Sequence, residues 1–246
     1  MAGHSKWSNI KRKKEKTDSQ RAKIFTKIGR EISVAVREGG PDPDSNSKLK
    51  DAIAKAKANN VPNDNIERNI KKASGDASAD NFENTVYEGY GPSGVAVIAE
   101  ALTDNRNRTA SDVRHYFDKY GGKMGQQGSV MFMFSRQGII VIDKSTADEE
   151  ALMEHALEAG ADDLITDVDD VFEVVAEPNN FSAVRDYLEE KGYTFLSAQV
   201  ELVPSTFTKL SSPDDIKNMG KMLEVFEDND DIQSVWHNWE NEDDYE

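Results

Sequence analysis

A chain of 246 residues has room for two or three domains of ~100–150 residues and can bury real cores without covalent staples. It contains no cysteine, which excludes disulfides, iron–sulfur clusters, thiolate zinc sites and cysteine nucleophiles together and fits a reducing compartment. Its net charge of −16 averages two unlike parts: residues 1–72 carry 18 Lys and Arg against 9 Asp and Glu, a net of +9, whereas the remainder nets −25. That asymmetry confines any contact with a polyanion to the N-terminal end, while the acidic body keeps the molecule soluble and limits where polyanions dock. The opening Met-Ala-Gly-His-Ser-Lys-Trp-Ser-Asn-Ile has no apolar segment behind it, and no run approaches the ~20 apolar residues of a membrane span. The expectation is a cytoplasmic protein with no secretory signal and no membrane segment.

The first helix signal is the capping-box pattern Thr17-Asp-Ser-Gln20, followed by Phe25, Ile28, Ile32 and Val36 at helical spacing and stopped by Gly39-Gly40-Pro41. Lys23, Lys27, Arg30 and Arg37 fall on the opposite face, so this helix offers one face to a core and one to phosphate. A second helix is predicted over Ser47 to Asn59, burying Leu49, Ala52, Ile53 and Ala56. A third follows Pro62, with Asp64 as cap, Glu67 reciprocating, and Ile66, Ile70 and Ala73 on its apolar side. Three short amphipathic helices make a small bundle. Ser74 to Asp80 reads as a linker.

Beyond it the period changes. Gly94 to Leu102 is an apolar run of strand length, Thr109 to Tyr120 a helix burying Val113, Tyr116, Phe117 and Tyr120, and Val130 to Phe134 a second strand whose Met-Phe alternation needs no cofactor. A β-α-β-β-α-β series then runs through Ile139–Ile142, Asp148–Ala159, a strand near Leu164, Val171–Val175, Phe181–Lys191 and Thr194–Leu202, the order of a ferredoxin-like unit ended by Pro204. The rest, a helix near Pro213–Phe226 and a strand around Ser234–Trp239, has too little apolar surface to stand alone and is expected to return to the sheet begun at Gly94. Trp236 and Trp239 are expected to cover a sheet face, and Glu240 to Glu246 to fray as a like-charged tail. The predicted fold is α+β and multidomain: a three-helix N-terminal domain (1–78), an α/β domain (79–135 plus 206–246), and a second α/β domain of ferredoxin-like type (136–205) inserted in it.

Several segments imitate catalytic motifs. Gly89-Tyr-Gly-Pro-Ser-Gly94 has dinucleotide-site spacing, but a strand follows where a helix is needed and Pro92 lacks an N–H, so it reads as a turn into a strand. Asp162 to Asp170 lacks the central Gly and terminal Glu of a calcium loop and reads as a solvated hairpin edge. His4, His115, His155 and His237 lie in separate segments without ligand spacing. No Walker sequence, no Gly-x-Ser-x-Gly elbow and no nucleophile–base pairing occurs, so no catalytic residue, metal, cofactor or small-molecule substrate is assigned.

The chemistry that remains is electrostatic. The arm carrying Lys6, Lys11, Arg12, Lys13, Lys14 and Lys16 has almost no apolar surface, and phosphate contacts would neutralise it and release counterions. Trp7 in its midst is placed either to stack on an exposed base or to fold back on the bundle. Lys23, Lys27 and Arg30 extend the basic surface. A second candidate is Thr103 to Ala110, where Arg106 and Arg108 stand beside a helix N-terminus; they bind an anion there or pair with local acids such as Asp104 or Asp112.

The opening Met-Ala-Gly-His-Ser-Lys-Trp-Ser-Asn-Ile-Lys-Arg-Lys-Lys, with Asn60 to Arg68, Tyr87 to Gly94, Asp104 to Thr109 and Gly128 to Phe132, resembles the YebC/PmpR family over essentially the whole chain. The mitochondrial relatives of that family include a translational activator of a cytochrome oxidase subunit. The resemblance implies a helical domain followed by two α/β domains, a cytoplasmic location and no catalysis. It further implies a DNA-binding transcriptional regulator, or alternatively a ribosome-associated, RNA-binding translation factor. The residues themselves show no recognition helix suited to base edges, a feature that suits binding by charge and shape.

Overall fold

A computed structural model describes residues 18–75, 82–168 and 170–245. The described residues fall into two compact units, one of residues 135–203 and one built from the segments on either side of it.

In the latter, helices α1 (Asp18–Gly39), α2 (Ser47–Ala58) and α3 (Asn63–Gly75) enclose a core of Ile28, Ile32, Val36, Leu49, Ala52, Ala56, Val61 and Ile66. The spacing of those positions in α1 and α2 predicted this face, because only one stripe of each helix is apolar enough to leave water. Asn46 closes the α1–α2 junction from within. Its carboxamide oxygen accepts from Leu49 N–H at the start of α2 (3.1 Å), and its amide donates to the carbonyls of Ala35 (2.7 Å) and Gly40 (2.8 Å). One buried side chain thus satisfies orphan groups at the ends of two helices. The third helix starts at Asn63 rather than after Asp64, which lies in its first turn. Thr17 of the predicted capping box lies outside the described residues.

The rest of this unit is a four-stranded antiparallel sheet, order β3-β1-β2-β8, of β1 (Glu83–Tyr90), β2 (Ala96–Thr103), β3 (Lys123–Met124) and β8 (Ile232–His237). Helices α4 (Arg106–Lys119) and α7 (Pro213–Asp228) pack on it through Val97, Ala99, Val113, Phe117, Met219, Met222 and Phe226. The expected return of the C-terminal strand is present: β8 pairs with β2, Ile98 opposite Trp236. Gly89 to Gly94 forms the turn between β1 and β2, with Ser93 and Gly94 at φ 52° and 83°, so no helix N-terminus follows it.

Residues 135–203 build a second sheet, order β5-β6-β4-β7, from β4 (Phe134–Asp143), β5 (Asp163–Ile165), β6 (Val171–Ala176) and β7 (Ser197–Pro204), with helices α5 (Glu149–Glu158) and α6 (Phe181–Glu190). Element sequence and strand order together are ferredoxin-like. Ile140 and Ile142 face the helices with Leu152, Phe172, Val174, Val184 and Leu188, while Ile139 and Val141 pack on the opposite face with Val168, Val171 and Val175. Burial on both faces explains the continuous apolar run Ile139–Ile142, which shows no alternation. Asp162–Asp170 supplies the short strand β5 and the approach to β6, where Asp170 adopts φ 61°. Among the described residues no helix is long and apolar enough to cross a membrane.

Five local expectations are corrected. Strand β1 lies where no element was foreseen, since Glu83-Asn-Thr-Val-Tyr-Glu-Gly-Tyr90 has little apolar alternation. Val130–Phe134 is not a strand: Met131–Met133 is a 3-10 turn, because the buried Glu88 carboxylate captures the amide N–H groups that a strand would pair. Helix α4 begins at Arg106, capped by Asn105 accepting from Arg108 N–H, and Tyr116 and Tyr120 are only half-buried. The C-terminal strand ends at His237, so Trp239 lies beyond β8, wholly buried in the core with Val97 and Ala99 of the sheet. The acidic tail is packed as far as Tyr245. Glu242 is buried 3.5 Å from His237, and Tyr245 lies over Gly220, where an added Cβ would meet its ring at 2.5 Å.

Phe226 is fully buried and meets Tyr116 and Phe117 edge-on at 5.5 and 5.4 Å between ring centres. Phe226→Ala is expected to cost about 3–5 kcal/mol, measured as a lower urea midpoint for the unit that holds it.

Candidate nucleic-acid interface

Helix α1 carries the basic face that the sequence offers to phosphate, and the structure turns most of that face toward the protein itself. Lys23 Nζ lies 2.7 Å from Asp228, and Lys27 Nζ donates to the Glu227 carbonyl at 2.7 Å. Arg30 donates to the Asp230 carbonyl (2.9 Å) and to the Asp231 carboxylate (2.8 Å), and its guanidinium stands over the Phe82 ring at 5.1 Å. The acidic turn between α7 and β8 therefore receives the basic side of the first helix.

Asp231 is the centre of this contact. It is 5% exposed, so its charge must be compensated locally. One oxygen accepts from Arg30; the other accepts from Arg108 (2.6 Å), Thr109 Oγ1 (2.8 Å) and Thr103 Oγ1 (3.3 Å). Burial pushes this carboxyl up, but the hydrogen bonds from Arg108, Arg30 and Thr109 outweigh it and hold the group below its ordinary value. Arg108 is driven up in turn, chiefly by its bond to Asp231 and then by that to Asp104 at 2.8 Å. Pairing with local acids, one of the two readings of this arginine, is what the structure shows, with Asp231 added from far along the chain. Arg106 differs: its side chain is largely exposed and only 3.8 Å from Glu83 at closest.

The arm residues Lys6, Trp7, Lys11, Arg12, Lys13, Lys14 and Lys16 lie outside the described residues. Of the cations that are described, the exposed Lys57, Arg68, Lys71 and Lys72 at the far side of α2 and α3 were passed over in the sequence. Their signal was available: Arg68, Lys71 and Lys72 are three and four residues apart, opposite Ile66 and Ile70. Asp231 had no such signal, being one acid among several in Asp228-Asn-Asp-Asp231. Among the described residues no group of three or more His, Cys, Asp or Glu is placed to hold a metal ion.

Because Asp231 titrates below its ordinary value of about 3.9, the stability it contributes is complete above that value and is lost as pH falls through the depressed folded value. Asp231→Ala is expected to lower stability at neutral pH by about 1.5–3 kcal/mol. The gap to the wild type should stay constant down to about pH 5 and close below about pH 4; a gap unchanged at pH 3 would count against the clamp.

Two family models match the chain: "TACO1/YebC protein N-terminal domain" over residues 5–76 and "TACO1/YebC second and third domain" over residues 82–239. Proteins named probable transcriptional regulatory protein from Acetivibrio thermocellus and Ruminiclostridium cellulolyticum are each 58% identical to it, covering 97% and 100% of this chain and 99% of their own length. The crystal structure of a conserved hypothetical protein from Aquifex aeolicus superposes with a TM-score of 0.81 at 42% identity, over 92% of both chains.

Proposed function

This chain belongs to the TACO1/YebC family, and we propose that it works in the cytoplasm as a non-enzymatic regulator that binds nucleic acid through its basic N-terminal end. The observation that carries the reading is the charge division, +9 over residues 1–72 against −25 over the rest. A surface so divided draws a polyanion to one end and repels it from the other. The names of the relatives support a regulator of transcription; duplex DNA would then be its target. Lys6, Lys11, Arg12, Lys13, Lys14 and Lys16 would contact phosphate, and Trp7 would stack or anchor the arm. Lys57, Arg68, Lys71 and Lys72 extend the same charge across the bundle.

A second reading has its own support. The basic face of α1 is engaged with Asp228, Glu227, Asp230 and Asp231, so this helix is not free to lie in a major groove as a base reader. Binding through an arm and exposed cations recognises phosphate and shape, which suits structured RNA such as a ribosomal surface. Lys23, Lys27 and Arg30 then serve to hold the bundle against the sheet, and Arg108 to fix the Asp231 that Arg30 meets, leaving Arg106 as the member of its pair that is not bound to a buried acid.

Replacing Lys11, Arg12, Lys13 and Lys14 together by Ala is expected to weaken polyanion binding. On duplex DNA the slope of log K against log salt should become shallower by about 0.9 for each phosphate that the variant no longer neutralises. An unchanged slope would refute the arm as the contact. Competition among duplex DNA, structured RNA and intact ribosomes at one salt concentration separates the transcriptional from the translational reading.

A further inference from the structure

Between β3 and β4 the chain makes a loop, Gly125-Gln-Gln-Gly-Ser-Val-Met-Phe-Met133, whose shape is set by a single buried carboxylate. Glu88, on β1 and 2% exposed, accepts from the N–H groups of Gly128 (2.6 Å), Val130 (2.9 Å) and Met131 (2.8 Å), while its own carbonyl accepts from Gly125 N–H (2.8 Å). Tyr90 Oη donates to the Ser129 carbonyl at 3.0 Å, and Ser205 N–H and Oγ both donate to Met133 O. Gly128 supplies the left-handed φ of 84° that the bend requires. Charge-assisted bonds to a buried acceptor are strong, so the loop is a rigid platform and not a slack connection.

What the platform presents is Phe132, 76% exposed and the most exposed large apolar side chain among the described residues. A lone exposed phenylalanine is ordinary on a surface; its setting here is not. Gln126, Gln127 and Lys123 are exposed on the same loop and its flanking strand, and Tyr90, paired with Lys123 across β1 and β3, is itself 37% exposed. From Lys119 to Ile142 the sequence contains no Asp or Glu, the longest such run in the chain, although it lies in the strongly acidic part.

We propose that the Gly125–Met133 loop is a second nucleic-acid contact, in which Phe132 stacks on an unpaired base of a folded RNA. A rigid aromatic ring, amides able to both donate and accept, and a nearby lysine are the groups that bind a splayed-out nucleotide. The loop brings no carboxylate of its own, and the Glu88 charge beneath it is taken up by three loop amides, which lessens the repulsion a phosphate backbone meets here. Unpaired bases belong to loops and bulges of RNA and not to an intact duplex, so the inference rests on the RNA form of the function proposed above and gives it a site apart from the arm.

The test uses the full chain with two labelled probes at one salt concentration: an RNA hairpin with an unpaired adenosine loop, and a blunt RNA duplex of the same length. Phe132→Ala and Phe132→Leu are expected to weaken hairpin binding by about 5- to 150-fold and to leave duplex binding unchanged, while Phe132→Trp keeps the affinity within a few-fold. Because Phe132 is exposed, all three variants should match the wild type in urea unfolding. Equal hairpin affinity for wild type and Phe132→Ala, with both probes still weakened by the four-residue arm replacement, overturns the inference and spares the arm. Full affinity of Phe132→Leu beside weak Phe132→Ala also overturns it, since it marks insertion into an apolar pocket instead of stacking. Failure of the wild type to bind either probe removes both the inference and the RNA reading.

Discussion

The buried carboxylate of Asp231 is the constraint on which the larger unit depends. It sits where α1, the end of β2, the start of α4 and the approach to β8 converge, and it takes donors from three of these segments. An ion in so little water is tolerated when it is paired and hydrogen-bonded, and here two guanidiniums and two hydroxyls serve it. The helical bundle and the sheet have separate apolar cores, Ile28, Ile32 and Leu49 in one and Val97, Phe117 and Phe226 in the other. What joins them is therefore polar and specific in geometry, with Lys23 and Lys27 adding exposed, weaker links at the edge.

Much of this architecture was legible in the sequence because it rests on periodicity. The α1 stripe, the boundaries of α5 and α6, the βαββαβ order and the need of the C-terminal strand for a partner all follow from where apolar residues fall. The parts that were not legible share a cause: a polar side chain acting at long range. Glu88 converts Val130–Phe134 from an evident strand into a turn, and nothing near position 130 announces a carboxylate forty residues earlier. The acidic tail looked frayed by composition, yet Glu242 meets His237 and Tyr245 closes over Gly220. A charge count sees repulsion; it cannot see which acids have been given partners.

The same limit governs the candidate interface. Counting lysines and arginines located the basic end, and helical geometry put Lys23, Lys27 and Arg30 on one face, but neither shows that the face is already met by Asp228 and Asp231. The formal +9 thus overstates the charge available to a ligand, since Lys23 and Arg30 are met by Asp228 and Asp231, acids that the sum counts with the rest of the chain. Among the described residues, Lys57, Arg68, Lys71 and Lys72 of α2 and α3 are exposed cations that the charge count did not single out.

The sheet of the larger unit is closed by a strand that leaves the ribosome long after its partner. β2 is made before residue 104 and β8 only after residue 231, and the whole of residues 135–203 is synthesised in between. The ferredoxin-like unit has its partners close in sequence and can fold while β2 still has an open edge. Until Asp231 emerges, Arg30 and Arg108 have no buried counter-charge, and the nascent N-terminal half is more basic in effect than the finished protein. The arrival of Asp231, rather than a ligand, is what first masks that charge.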